Sequence, residues 1–231
     1  MNDAMKKHAI AIDGPSGAGK STLARAAAKK LGFVYVDTGA LYRAVGLCTF
    51  RARTDPKDRE AVASLLPAIQ LDVRYDEKGI QHVLLCGEDV SEAIRLPEIS
   101  MYASDVSAHP PVRSFLLDTQ RNFAERYNVV MDGRDIGTVV LPDADLKIFL
   151  TASAEARAKR RLLELRAKGI SAQYGEVLKD MKLRDFNDSN RAAAPLRAAE
   201  DAVLLDTTSL DAEQALQRIL ELVEVKHWNL K

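Results

Sequence analysis

The sequence predicts an α/β protein in which a five-stranded parallel sheet carries helices on both faces. Three observations predict it. Short apolar runs recur at 9–12, 33–36, 129–132, 146–150 and 203–205. Stretches of helical period lie between them, and alternation of this kind builds parallel sheets because each crossover must return the chain across the sheet. The chain has 231 residues, 47% hydrophobic and 29% charged, enough for one good-sized core with a small insert.

Ala9 to Ile12 reads as a buried strand ending at Asp13. A glycine-rich turn follows, then a helix rich in Ala, Lys and Arg from Leu23 to Leu31, closed by Gly32. Phe33 to Val36 is a second strand and Thr38 to Phe50 a second helix. The alternation then breaks. Apolar residues at 69, 71, 73 and 75 have strand period, Asp76 to Gly79 is a turn, and His82 to Leu85 returns. This predicts a small antiparallel ribbon within 67–90. Ser91 starts a short helix and Pro97 another. Val112, Phe115, Leu116, Thr119 and Phe123 mark one helix face. Strands Val129 to Asp132 and Leu146 to Leu150 follow. Next come a basic helix from Ala154 to Lys168, a helix from Tyr174 to Arg191, strand Val203 to Leu205, and a closing amphipathic helix marked by Leu216, Ile219, Leu220 and Val223. We expect a core at 1–66, 127–153 and 192–231, an acceptor-side region at 67–126 and a lid at 154–170.

Thirty-three basic residues balance 33 acidic ones, so no global field draws the chain to nucleic acid or an anionic membrane. Cys48 and Cys86 form no C-x-x-C pair, which fits a reducing compartment. The polar start lacks the apolar core of a signal peptide, and no apolar run approaches the roughly 18 residues of a membrane helix. We therefore expect a cytoplasmic protein, and a monomer because no long apolar stripe is left over.

Gly14-Pro15-Ser16-Gly17-Ala18-Gly19-Lys20-Ser21 matches G-x-x-x-x-G-K-[ST] at every fixed position, between a predicted strand and a predicted helix. This is a P-loop, and it makes the fold a three-layer P-loop fold. Glycines let the backbone approach a phosphate, its N–H groups form an anion nest, and the helix N-terminus faces the anion. Lys20 bridges the β- and γ-phosphates of ATP. Ser21 offers its hydroxyl to Mg²⁺, with Thr22 a second hydroxyl nearby. Asp132, at the tip of an apolar strand, is a candidate second ligand of Mg²⁺, directly or through water. It reads equally as a turn residue, as do Asp13 and Asp37.

Gly133-Arg134-Asp135 sets a cation and a carboxylate at the carboxyl end of a central strand, the edge where such sheets bind ligands. An arginine there forks a phosphate or forms a surface ion pair. Arg184, Asp188 and Arg191 share a helix face with the apolar Met181 and Val177, and Asp185 is offset by about 100° from Arg184. Helix salt-bridge pairing is the plainer reading of that stripe. Arg43 lies one turn beyond Gly39. Arg157, Lys159, Arg160, Arg161 and Arg166 crowd one helix, either as a solvated face or as a mobile flap over phosphates. The four histidines make no metal-ligand spacing.

Together these motifs resemble bacterial cytidylate kinases, of the nucleoside monophosphate kinase family, over nearly the whole chain. The likeness runs through GPSGAGKST, DTGALYRA, GEDVSEAIR, DGRDIGTVV, KIFL and RDxxDxxR at 184–191. It implies transfer of the γ-phosphoryl group of ATP, with Mg²⁺, to CMP or dCMP. It implies that Gly14 to Thr22 bind ATP. It implies an acceptor site of Thr38, Arg43, Ser104, Arg113, Gly133, Arg134, Asp135, Arg184, Asp188 and Arg191. In it Arg43, Arg134 and Arg191 clamp the phosphate, Arg184 and Asp188 touch the sugar, and Ser104, Arg113 and Asp135 read cytosine. Lys20, Arg134, Arg191 and the lid's Arg160 would carry catalysis. Partners would be small molecules, with no nucleic acid and no membrane. The acceptor phosphate has a second pKa near 6, so no general base is required.

Other readings remain at this stage. One is a P-loop kinase for another acceptor, UMP or a shikimate-like compound. A GTPase-like switch would need an N-K-x-D signature that the chain lacks. A non-catalytic nucleotide-binding module is the third.

Overall fold

A computed structural model describes residues 7–167, 169–226 and 228. In chain order the elements are β1 (Ala9–Asp13), α1 (Lys20–Leu31), β2 (Val34–Asp37), α2 (Thr38–Arg51), α3 (Arg59–Leu65), β3 (Leu71–Tyr75), β4 (Gln81–Leu85), β5 (Glu88–Asp89), α4 (Pro97–Val106), α5 (Pro110–Arg126), β6 (Val129–Gly133), β7 (Leu146–Thr151), α6 (Ala154–Ala167), α7 (Tyr174–Asn190), β8 (Val203–Asp206) and α8 (Ala212–Glu224). A π-helical turn, Ile136–Val140, follows β6. The chain divides into two compact units, one of residues up to Phe33 with those from Asn128 onward, the other Val34–Tyr127. The boundary drawn from the sequence at residue 66 does not coincide with this division.

The chain's larger sheet counts five strands, as expected. Four of them belong to the first unit and run parallel in the order β6-β1-β7-β8. Ile10, Ile12, Val129, Val130 and Met131 are fully buried, as continuous apolar runs in a two-sided parallel sheet must be. The register aligns Asp13 with Gly133 on one side and with Phe149 on the other. Gly14 and Arg134, each one residue further on, therefore leave the sheet at the same carboxyl edge. Helix α1 packs on β6 and α8. Ala158 and Leu162 of α6 pack on Val177 and Met181 of α7. Arg191, expected inside α7, lies just past its end in extended conformation.

In the second unit Leu41, Ala44 and Val45 of α2 pack with Val62, Val83, Ile99 and Leu116. A Cβ on Gly46 would lie 2.9 Å from the Ala103 amide nitrogen, so glycine sets how closely α2 meets α4. The expected ribbon is present as β3 against β4. A two-residue third strand, β5, joins it after a left-handed turn at Cys86 and Gly87. The sequence reading missed β5 and also α3, whose one fully buried side chain, Val62, gives no apolar period. Asp58 caps α3 by accepting from the Glu60 and Ala61 amides.

Candidate active site

In the first unit the phosphate loop joins β1 to α1. Gly14, Gly17 and Gly19 have φ of 147°, 74° and 92°. Gly14 is required by a neighbouring strand, since its Cβ would lie 1.9 Å from the Leu150 carbonyl oxygen of β7. Lys20 is 5% exposed, and its Nζ donates to the Pro15 carbonyl of its own loop at 2.8 Å. Burial, then the positive charge of Arg134, pull its pKa down to about 7, against the charges of Asp132, Asp188 and Asp13. Ser21 donates from Oγ to Asp132 Oδ2 at 2.9 Å, so the two expected metal-side residues meet.

Asp13 is buried and accepts from the Ile136 amide at Oδ1 and from the Gly137 amide at Oδ2, both at 2.8 Å. A strand-end carboxylate thus fixes the turn that carries Arg134 and Asp135. Burial raises its pKa to about 6, opposed by the amides of Gly137 and Ile136 and assisted by the charge of Asp135.

Arg134 donates from Nε to Asp188 Oδ2 at 2.7 Å and from Nη1 to the Gly133 carbonyl at 3.2 Å. Arg191 donates from Nε to the Ala194 carbonyl at 2.6 Å, and its Nη2 lies 3.6 Å from Asp135 Oδ1. Val177 and Met181 of α7 are buried, while Arg184 and Asp188 are partly exposed. The unit therefore gathers Lys20, Ser21, Asp132, Arg134 and Asp188 through direct contacts or mutual fields. Arg160 stands apart. Its guanidinium donates to the Thr207 carbonyl, to Thr207 Oγ1 at 3.2 Å and to the Leu210 carbonyl at 3.4 Å. Arg157 is buried rather than part of a solvated face. It forks Asp185, a pairing that the sequence reading missed because the two residues lie 28 positions apart.

The second unit places Thr38 at the start of α2, where Asp37 caps the helix by accepting from the Ala40 amide at 3.0 Å. The Gln81 side chain brackets Asp37, accepting from its amide at 2.8 Å and donating to its carbonyl at 3.3 Å. Arg43 lies against Gly39, its Nη1 3.2 Å from the point where a Cβ would stand. Arg113 donates to the Ser107 carbonyl at 3.2 Å and sits over the Tyr42 ring at 5.6 Å. Ser104 is half-buried on α4. Tyr42 and Gln81 were absent from the sequence-derived site. Nothing in their spacing marked their contacts with Arg113 and Asp37.

A family model described as cytidylate kinase matches residues 10–225. A cytidylate kinase of Caldicellulosiruptor bescii is 53% identical over 218 residues, covering 94% of this chain and 96% of that one. One from Syntrophotalea carbinolica is 51% identical, covering 93% and 91%. One from Pasteurella multocida is 46% identical, covering 97% and 98%. Among solved structures, a shikimate kinase from Bacteroides thetaiotaomicron superposes with a TM-score of 0.47 at 17% identity, over 94% of this chain and 98% of that one.

Proposed function

The chain belongs to the cytidylate kinase family, and from that membership we infer its reaction: it transfers the γ-phosphoryl group of ATP to CMP or dCMP, giving ADP and CDP or dCDP. The observation that carries this is identity at half of the positions over nine-tenths of the chain. It is thus a nucleoside monophosphate kinase.

We assign ATP to Gly14–Thr22, with Lys20 on the phosphates. The acceptor is assigned to Gly133, Arg134, Asp135, Arg184, Asp188 and Arg191 of the first unit and to Thr38, Arg43, Ser104 and Arg113 of the second. Arg134 supports the assignment because Asp188 holds it by one edge of the fork. Its remaining donors suit a phosphate dianion. Arg160 reaches a phosphate only by leaving the carbonyls of Thr207 and Leu210.

Among the described residues no group of three or more His, Cys, Asp or Glu could hold a metal. That suits Mg²⁺ arriving with ATP, which is bound through one or two protein oxygens plus phosphates. Ser21 and Asp132 are the hard oxygen donors that fit it. When bound, the ion offsets phosphate charge. Ser21 can keep its proton on Asp132 while presenting an oxygen lone pair, which favours Asp132 acting through water. Lys20 and the arginines offset the repulsion between two anionic substrates, and positioning with electrostatics does the rest. The reading includes a lid at 154–170 and a cytoplasmic monomer acting on small molecules. No described helix is long and apolar enough to cross a membrane.

The test is ADP release from ATP-Mg²⁺ with each nucleoside monophosphate in turn, beside Arg134→Ala. Turnover with CMP should fall by about 10²-fold or more in the variant, on the scale of losing one charge-stabilising donor set. Equal or better turnover of UMP or AMP would sink the cytidine assignment.

A further inference from the structure

Arg157 lies in a basic stretch of α6, yet it is 4% exposed. Its guanidinium is satisfied in three directions. Nε donates to the Ala152 carbonyl at 2.9 Å. Nη1 donates to the Ser16 carbonyl, near the tip of the phosphate loop, at 2.9 Å. Nη1 and Nη2 fork Asp185 of α7 at 2.9 and 2.6 Å. Beside this fork the Met181 methyl of α7 stands 2.8 Å from the point where a Cβ on Gly17 would lie. Helix α7 therefore reaches the phosphate loop through Arg157 of α6, which bridges Asp185 to the Ser16 carbonyl, and through the Met181 methyl beside Gly17. Asp185 sits between Arg184 and Asp188 on that helix, and Asp188 holds Arg134.

A buried ion pair is no better for stability than well-packed apolar residues. What the fork supplies is geometry. It holds one carbonyl of the loop and one carboxylate of α7 to a single planar group, which lysine cannot reproduce.

Resting on the kinase reading above, we infer that Arg157 and Asp185 are positioning residues that tie the phosphate loop to α7, so that ATP in the loop sets Arg184 and Asp188 for the acceptor. Neither touches substrate. Anion binding fixes the loop's backbone, and with it the Ser16 carbonyl. Arg157 passes that constraint to Asp185, one residue from Arg184 and three from Asp188. Coupling of this kind is reciprocal, so bound acceptor tightens ATP by the same factor.

The experiment compares wild type, Arg157→Lys, Asp185→Asn and the apolar pair Arg157→Met with Asp185→Leu. Affinity for a non-hydrolysable ATP analogue is measured with and without CMP, alongside kcat, KM and thermal unfolding. Wild type should bind the analogue about 5-fold or more tighter with CMP present, within the usual range of coupling. The apolar pair also leaves the Ala152 and Ser16 carbonyls without Arg157's donors, so it should stay folded at a lowered unfolding temperature, yet lose that enhancement and at least about 10-fold in kcat. Wild-type enhancement in the apolar pair, or none in wild type, overturns the tie. If the apolar pair does not fold, Arg157→Lys decides, since it keeps the charge and loses the fork. A wild type that binds ATP-Mg²⁺ but never turns over CMP sinks the kinase reading instead. The tie is then decided by analogue affinity alone, and an unchanged affinity in Arg157→Lys overturns it.

Discussion

Binding of ATP-Mg²⁺ at pH 8 is expected to draw a proton from solution, and Lys20 is where the proton goes. The amine is buried and donates to a loop carbonyl at 2.8 Å. Burial and Arg134 bring its pKa to about 7. Above that value most empty sites carry a neutral amine, and well below it few do. Polyphosphate brings several negative charges beside the nitrogen and restores the ammonium. Phosphate groups with a pKa near 6 are already ionised at pH 8, so they release almost nothing. The assay is titration calorimetry in buffers of differing ionisation enthalpy, where the slope of the observed heat gives the protons exchanged. Uptake should be seen at pH 8 and should shrink or reverse at pH 6, where phosphate with a pKa near 6 also gives up protons on binding. Lys20→Arg, charged at both pH values, should abolish it. No uptake at pH 8, or uptake that survives Lys20→Arg, refutes the depressed lysine.

Three further perturbations test the framework. Asp13 has a folded pKa of about 6 against an ordinary 3.8. Between those values the folded chain binds the extra proton, so stability falls as pH rises, by up to about 3 kcal/mol relative to Asp13→Asn. Urea titrations of both proteins at pH 4 and 7 check the sign. Gly46→Ala gains about 1 kcal/mol of helix propensity but drives a Cβ to 2.9 Å from the Ala103 nitrogen. Overpacking against backbone should prevail, leaving a net loss of about 1–2 kcal/mol in urea unfolding. Gly14→Ala meets the Leu150 carbonyl oxygen at 1.9 Å and should cost more than about 3 kcal/mol, read in the same assay. Wild-type stability in that variant would show that β1 and β7 can separate at this edge.

What the sequence made legible was local. The run Ala9–Asp13 followed by a glycine loop declares its strand and turn without help from elsewhere, because φ > 0 and close backbone approach demand glycine. What escaped was decided by distant partners. Arg157 looks like any solvated cation until α7 brings Asp185 to it. Arg191 continues the i, i+4, i+7 stripe on paper. In the structure the helix ends at Asn190, and Arg191 turns to the Ala194 carbonyl and towards Asp135, 56 positions earlier. The two-residue β5 exists because Cys86 and Gly87 turn left-handed, and only Gly87 announces that. Gly14 was legible as a glycine, but the Leu150 carbonyl that also demands it lies 136 positions away.

The pairing of β1 also orders events during synthesis. Its partners, Val129–Gly133 and Leu146–Thr151, are made only after the whole of Val34–Tyr127. At about 5–20 residues per second, β1 waits roughly 6–23 s for its first partner. The intervening unit is contiguous and has its own core of Leu41, Val62, Val83 and Leu116, so it can collapse in that interval. The strand that leads into the phosphate loop leaves the ribosome well before the partners that hold it in place. A newly made chain should therefore become able to bind ATP only when β6 and β7 have emerged.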